Sequence, residues 1–282
     1  MHGDQTASDA GRGPVDVLGV RVTPLTRAQL LDRVSDWART GTRRYVTFTS
    51  VHGVMESQRH ADVMAAHNSV SAVVVPDGMP LVWAARRAGA RSAERLYGPD
   101  VMLAICERAA AEGLSSFFYG GAPGVAERVA ERLGERFPGL RVAGTYTPPF
   151  RELTQAEREE VLARIDASGA DLVWVGISTP KQERWMAAHL HLLERPCVMF
   201  GVGAAFDIHA GLQRDAPAWI KETGFQWLYR LIREPRRLWR RYLRNNPAFV
   251  YAIARRPPRL LDRPEAGAAS AAAPLRGDAL AE

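Results

Sequence analysis

The chain has 282 residues, 46% of them hydrophobic, a formal net charge of +6 and only 2 Cys. That is enough apolar material for one large domain or two small ones, and it excludes a disulfide framework or a CxxC metal site, as suits a reducing cytoplasm. No apolar run reaches the roughly 18 residues that a bilayer-spanning helix needs, and residues 1–14 lack the apolar stretch of a signal peptide.

Residues 1–14 are polar and Gly-rich and read as a disordered tail. Val15 to Val22 reads as a strand. Leu25 to Trp37 has helical apolar spacing, with Thr26 placed to cap it. Tyr45 to Thr49 is a β-rich run that ends at Ser50-Val51-His52, and a helix follows from Gly53 to His67. Thr49 therefore sits at a strand-to-helix edge, as a helix cap or as a ligand-facing hydroxyl. Val70 to Val75 is a buried-strand run ending in Pro76-Asp77-Gly78. A carboxylate at the carboxyl end of such a strand suits a general base, although Asp-Gly is also a common turn pair.

A polar loop then carries Arg95, Gly98 and Asp100, and a helix runs from Val101 to Glu112. Ser116 to Tyr119 is a strand that enters a Gly-rich turn, Gly120-Gly121-Ala122-Pro123-Gly124, where backbone can approach a ligand closely. The turn is not GxGxxG. Leu140 to Thr145 is the next strand, and Thr154 caps a helix to Ser168. Asp171 to Trp185 (DLVWVGISTPKQERW) pairs a buried strand with a helix start. Its spacing makes Thr179 the N-cap and Pro180 the first helical residue, so Lys181, Gln182, Glu183 and free backbone N–H groups gather at one strand end. A capped helix with solvated charges shows the same pattern. Cys197 to Gly201 is the last strand, followed by small residues around Gly203 and by Asp207.

Strands and helices alternate with short connections, which predicts an α/β fold with a Rossmann-like parallel sheet and helices on both faces over residues 15–218. Residues 219–259 differ. They interleave Arg with Trp, Tyr and Leu at helical spacing, with Pro235 and Pro247 dividing them into short helices. Within 225–259, ten Arg stand against the single acid Glu234, a local +9, so the rest of the chain sums to −3. Such a basic helical C-terminal appendage is either a packed hairpin with a solvated Arg face or a surface for anionic lipid or nucleic acid. Residues 260–282 are Ala-, Pro- and Gly-rich and read as a second disordered tail.

Six segments together carry a family resemblance: VVPDG ending at Gly78, ERLYGPD (94–100), FFYGGAPGVAE (117–127), VGISTPKQERW (175–185), FGVGAAFDIHAG (200–211) and EPRRLWRRYLRNNPAF (234–249). In order and over roughly residues 15–250, the chain resembles the WecG/TagA/CpsF glycosyltransferases. The resemblance implies an inverting, metal-independent hexosyltransferase without a cofactor. It would move a hexose or N-acetylhexosamine-type sugar from a UDP-sugar to an undecaprenyl-diphosphate-linked saccharide in cell-surface polysaccharide synthesis. It implies a cytoplasmic, peripheral protein on the anionic inner face of the plasma membrane, with no nucleic-acid partner; self-association is left open. It assigns catalysis to Asp77 as base, with Thr49 and Arg95. UDP-sugar binding falls to Lys181, Gln182 and Glu183, together with the strand-end residues Gly120, Gly121, Thr179 and Gly203. Arg233, Arg236, Arg237, Arg240 and Arg241 would meet the membrane or the lipid diphosphate. Two positions depart from the family pattern: Thr-Pro-Asn reads Thr49-Ser50-Val51, and the glycine-rich turn before Pro-Lys-Gln-Glu reads Ser178-Thr179.

No DxD pair occupies a strand-end loop, so cations and helix N-termini are the expected stabilisers of a departing diphosphate. Two other readings compete. A nucleotide-dependent oxidoreductase would share the fold class but lacks GxGxxG after the first strand. A non-enzymatic membrane or nucleic-acid adaptor would use the Arg segment and leave Asp77 without a role. The absence of GxSxG gives no support to a serine hydrolase.

Overall fold

A computed structural model of the protein describes residues 13–262. Residues 1–12 and 263–282, which hold most of the two predicted tails, lie outside the described residues. The first predicted strand is a hairpin: β1 (Val15–Val17) and β2 (Val20–Val22) pair antiparallel around Leu18 and Gly19. Both turn residues have positive φ, 54° and 88°, the mirror-image turn that matches strand twist.

After α1 (Arg27–Thr40) come β3 (Arg44–Thr49), α2 (Val51–Arg59), α3 (Ala61–Asn68), β4 (Ala72–Pro76), α4 (Met79–Arg87), α5 (Gly98–Glu112) and β5 (Ser115–Gly120). There follow α6 (Val125–Arg136), β6 (Arg141–Tyr146), α7 (Gln155–Ser168), β7 (Leu172–Gly176), α8 (Lys181–His189), β8 (Val198–Gly201) and α9 (Ala205–His209). The chain closes with α10 (Ala218–Thr223), α11 (Gln226–Arg233), α12 (Pro235–Arg255) and β9 (Arg259–Leu260).

The capping expectations for Thr26 and Thr154 hold. Each accepts a hydrogen bond from the backbone N–H three residues on, and Gln29 and Glu157 complete capping boxes. The helix predicted over 53–67 is two helices, broken at His60, whose φ of −130° and ψ of 109° are extended. Thr179 is not the cap of α8: the helix starts at Lys181 after Pro180, and Ser178 takes a positive φ of 68°.

One sheet has the order β6-β5-β7-β8-β3-β4-β2-β1-β9. From β6 to β2 every pairing is parallel, and β1 and β9 add an antiparallel edge. Near-continuous apolar strands such as Ala72–Val75 and Leu172–Val175 follow from this, because helices cover both faces. One face packs Phe118, Trp174 and Phe200 under α1, α5 and α6; the other packs Tyr45, Tyr119 and Val173 under α7 and α8.

The C-terminal segment departs from expectation. Pro235 opens α12, but Pro247 lies inside its 21 residues without ending it. The lost N–H costs one helical bond, and neighbours on both sides are anchored: Leu238, Asn245 and Phe249 are all buried. Residue 260, expected in a disordered tail, is in β9, which pairs with β1. Asp16 secures this join, accepting from Arg256 at 2.9 Å and lying 3.5 Å from Arg259.

Adjacent strands β5 and β7 send their connections in opposite directions, to β6 and to β8. The crevice this leaves at their carboxyl ends is filled by the chain itself. A Cβ on Gly176 would lie 2.5 Å from the Phe206 ring, and one on Gly120 would lie 2.7 Å from the Gly176 backbone. Overpacking such a site costs about 1–3 kcal/mol. Gly176→Ala is therefore expected to lower the urea midpoint with an unchanged m-value; an unchanged midpoint would contradict this packing.

Candidate functional site

The carboxyl edges of β3, β4, β7 and β8 open into one cleft of about 760 Å³. Its polar end holds Ser50, His52, Asp77, Arg95, Thr179, Gln182 and Gly203. Its other end is apolar, between Met79 and Trp83 of α4 and Phe249, Val250 and Ile253 of α12. Residues from α11 and α12, namely Trp227, Arg230, Arg241 and Tyr242, close the side that the sheet leaves open.

Asp77 sits where β4 ends. Its N–H still continues the sheet, donating to the Thr49 carbonyl at 2.9 Å, so the carboxylate is held by strand geometry rather than by a loose turn. Gly78, without a side chain, opens α4 beside it. Burial pushes the Asp77 carboxyl up to about 6, against the opposing pull of Arg95 and Arg230. That places its proton exchange near neutrality, the range a general base requires.

Arg95 is Asp77's partner, with Nη2 3.7 Å from Asp77 Oδ1. The rest of its guanidinium is committed elsewhere. Nε donates to the Asp77 carbonyl at 2.6 Å, Nη1 to the Lys221 carbonyl at 2.7 Å, and Nη2 to Gln226 Oε1. The fork thus ties Asp77 to α10 and α11. Lys221 is itself bound to Asp100 at 2.8 Å and Asp215 at 2.6 Å.

On the opposite wall, Thr179 donates to Glu183 Oε1 at 2.8 Å, and Gln182 Nε2 donates to the Gly201 carbonyl at 2.9 Å. Gln182 Oε1 is buried and makes no hydrogen bond within the protein. It lies 3.4 Å from where a Cβ on Gly203 would stand. The cleft is thereby offered a buried acceptor, whose desolvation a bound donor group would offset. Glu183 is buried behind this wall, and burial raises its carboxyl.

Of the residues singled out in the sequence, Asp77, Arg95, Thr179, Gln182, Gly203 and Arg241 converge on the cleft. Thr49 lies beneath it, buried, its hydroxyl donating to Thr47 at 3.1 Å and 3.2 Å from His67 Nε2. Lys181 points to solvent at the start of α8. Gly120 and Gly121 lie in the turn against Gly176 and Val125, outside the cleft lining. Arg233 lines a neighbouring polar cavity of about 350 Å³. Arg236 and Arg240 are exposed on α12, and Arg237 is on the same helix.

The sequence places His52 beside Thr49 at a strand-to-helix edge, and it lines the cleft; the sequence reading missed Arg230, Gln226 and Asn245. Gln226 and Arg230 are four apart on α11, a spacing that puts them on one helical face, but nothing in a solvated Arg pattern marks which Arg turns inward. Among the described residues no group of three or more His, Cys, Asp or Glu side chains could hold a metal ion. No helix among them is long and apolar enough to cross a membrane.

Comparison with known proteins shows the family. The model of the glycosyl transferase WecG/TagA/CpsF family matches residues 15–262. A protein of Bacillus spizizenii is 30% identical over 199 residues, covering 71% of this chain and 73% of its own. One of Staphylococcus aureus (strain MRSA252) is 28% identical over 243 residues, covering 86% and 92%. Both are named N-acetylglucosaminyldiphosphoundecaprenol N-acetyl-beta-D-mannosaminyltransferase. With a family match that runs from β1 through β9 and takes in the whole cleft, the chain belongs to the WecG/TagA/CpsF family of glycosyl transferases.

Proposed function

We propose that this protein transfers a hexose or N-acetylhexosamine-type sugar from a UDP-sugar to a saccharide linked through a diphosphate to undecaprenol, with inversion at the anomeric carbon. The observation that carries the reading is Asp77, a carboxylate raised toward neutrality beside Arg95, in a cleft that Arg230 also lines and that is polar at one end and apolar at the other. The relatives' printed names supply the acceptor class. Family membership leaves the oxidoreductase and adaptor readings without a supporting observation.

In this mechanism Asp77 takes the proton from the acceptor hydroxyl as its oxygen attacks the anomeric carbon. The bond from that carbon to the UDP oxygen breaks, and its electron pair leaves with the diphosphate. Arg230 and Arg241 line the same cleft and oppose the charge that develops there. Gln182 Oε1 accepts from the donor. The first part of the polyprenyl chain lies along Trp83, Phe249 and Ile253, where apolar surface leaves water. The exposed apolar side chains Ile232, Trp239 and Leu243, interleaved with Arg236, Arg240 and Arg244, form the surface that meets anionic lipid.

Asp77→Asn keeps the size of the side chain but cannot take the proton. Turnover is expected to fall at least about 10²-fold while UDP affinity stays within a few-fold. The wild-type kcat/KM should decline below about pH 6, as the carboxylate is protonated. The stability sign runs the other way. A raised carboxyl binds its proton more tightly when folded, so its contribution favours the fold at low pH and fades as pH rises from 3.8 through about 6. Asp77→Asn should therefore melt no lower than wild type at pH 7. A lower melting temperature with normal turnover would make Asp77 a turn residue.

With no clustered metal ligands among the described residues, turnover should survive EDTA. Loss in EDTA, restored by Mg²⁺ or Mn²⁺, would overturn metal independence.

The lipid-facing surface is best tested by surface substitution, because deleting α12 would also remove the buried Leu238 and Phe249. Trp239→Ser combined with Leu243→Ser and Arg240→Gln should release the protein from phosphatidylglycerol vesicles at low salt, at a cost of about 1 kcal/mol per basic residue lost plus the apolar contribution. Equal sedimentation of variant and wild type would contradict the assignment.

A further inference from the structure

A second cavity, of about 350 Å³ and so within the range of small-molecule sites, lies beside the cleft between residues 207–216 and α11. Tyr97, Gln226 and Arg230 line both spaces and form the wall between them. The cations of the second cavity are Arg214, Arg230 and Arg233. The carboxylates beside them are engaged by the chain. Asp215 accepts from the Tyr97 hydroxyl at 2.8 Å and pairs with Lys221 at 2.6 Å. Glu234 accepts from Gln213 Nε2 at 2.7 Å, and Asp207 has its own partner.

Gln226, 7% exposed, adds a directed donor. A guanidinium only donates, so the contact with Arg95 Nη2 fixes the amide oxygen toward Arg95. The amide nitrogen then faces away from Arg95, buried and with no acceptor in the protein. Three guanidinium groups and this N–H therefore gather around one cavity whose own acceptors are already used. The complement of such a set is a compact anion with several oxygens. In the proposed function the leaving diphosphate lies against Arg230 and Arg241 in the cleft, and the polyprenyl chain lies at the apolar end. That leaves the second cavity for a third group. Its surroundings say where that group comes from. Leu212, which lines the cavity, is 55% exposed, and Ile232, next to Arg233, is 70% exposed. Ile232 belongs to the surface assigned above to anionic lipid.

We propose that this cavity binds one phosphoryl oxyanion, the phosphodiester headgroup of a bilayer lipid, on Arg214, Arg233 and the Gln226 amide. This rests on the reading of the α11–α12 surface as the one that meets lipid. Adsorption of scattered arginines to an anionic bilayer needs neither a cavity nor a fixed donor. A cavity with both holds one headgroup in one place. Gln226 holds Arg95 with the oxygen of its amide and the headgroup with the nitrogen, so the bound lipid and the fork beside Asp77 share a side chain. A free phosphate ion presents the same oxygens. What separates the two sources is the acyl chain, which Leu212 and Ile232 can cover only for a lipid.

The test uses the full chain and monomeric probes, so that adsorption to vesicles plays no part. Dihexanoyl phosphatidylglycerol below its micelle concentration is titrated by calorimetry, and inorganic phosphate beside it. The lipid should bind one to one and at least about 10-fold more tightly than phosphate, from the apolar surface its chains cover. Saturating UDP should leave the lipid affinity within a few-fold. Gln226→Glu keeps an acceptor for Arg95 and puts a negative oxygen where the donor was. Arg214→Gln combined with Arg233→Gln removes two cations whose side chains are exposed, so this variant should melt as wild type does. Each change should weaken the lipid at least about 10-fold, the effect of one hydrogen bond to a charged group. Wild type that does not bind the monomeric lipid overturns the proposal, as does a double variant that binds it normally. Phosphate that binds as tightly as the lipid would make this a free-phosphate site, and one-for-one displacement by UDP would make it part of the donor site; either result also overturns it. Vesicle sedimentation of the Trp239→Ser variant tests the lipid-facing surface alone, so the two readings fail separately.

Discussion

The partly buried carboxylate of Asp77, pushed up to about 6 beside a fixed arginine, is the feature around which this cleft is built. Burial alone would push Asp77 higher than about 6, and it is the opposed charge of Arg95 and Arg230 that brings it back. Arg95 can do this because it is fixed. Its fork is spent on the Asp77 carbonyl, the Lys221 carbonyl and Gln226, so its charge is near the carboxylate while its geometry is set by backbone. A lysine there would supply the charge as a single flexible point and would lose the tie to α10 and α11.

That tie changes how the C-terminal segment is understood. Composition marks it as an arm, distinct in charge from a near-neutral body. The structure makes it part of the site. Arg95 fastens its start, Asn245 fastens its middle to α2, and Asp16 with the β1–β9 pairing fastens its end. Phe249 packs in the same cluster as Val15, Leu81 and Ala84. Without these helices the sheet edge would present Asp77 to bulk water, its carboxyl would fall toward its ordinary value, and the cleft would lose one wall.

Much of the fold was legible in the residues. Apolar runs mark the buried parallel strands, and Thr26 and Thr154 mark helix starts through a side-chain bond that needs only local sequence. Where reading failed, the cause was non-local or stereochemical. The Leu18-Gly19 turn requires positive φ at a leucine, which sequence rules place at glycine or asparagine. Pro247 reads as a helix breaker because the cost of its missing bond is local, while the packing that outweighs it is not. Asp77 and Gln182 could be picked out by their positions at strand ends. Thr49 occupies an equally suggestive position, yet its hydroxyl turns down to Thr47 and His67, a choice made by the buried His67 ring and not by the strand. Gly120 and Gly121 look like a ligand turn, but the ring that fills their crevice is Phe206, far along the chain.

The charge pattern carries the last lesson. The ten arginines of residues 225–259 are nearly equivalent in sequence, and the fold divides them by the helical face each occupies. Arg230 and Arg241 turn to the cleft, while Arg236, Arg240 and Arg244 stay exposed beside Trp239 and Leu243. In the proposed function α12 therefore carries both Arg241, one of the two groups that neutralise the leaving diphosphate, and most of the surface that meets lipid. Orientation at the surface and orientation in the site become a single variable, because α12 cannot tilt at one without moving at the other. For the proposed acceptor, whose reactive hydroxyl would be a short saccharide away from its lipid anchor, that coupling would match the distance from membrane to Asp77 to a span the substrate cannot change.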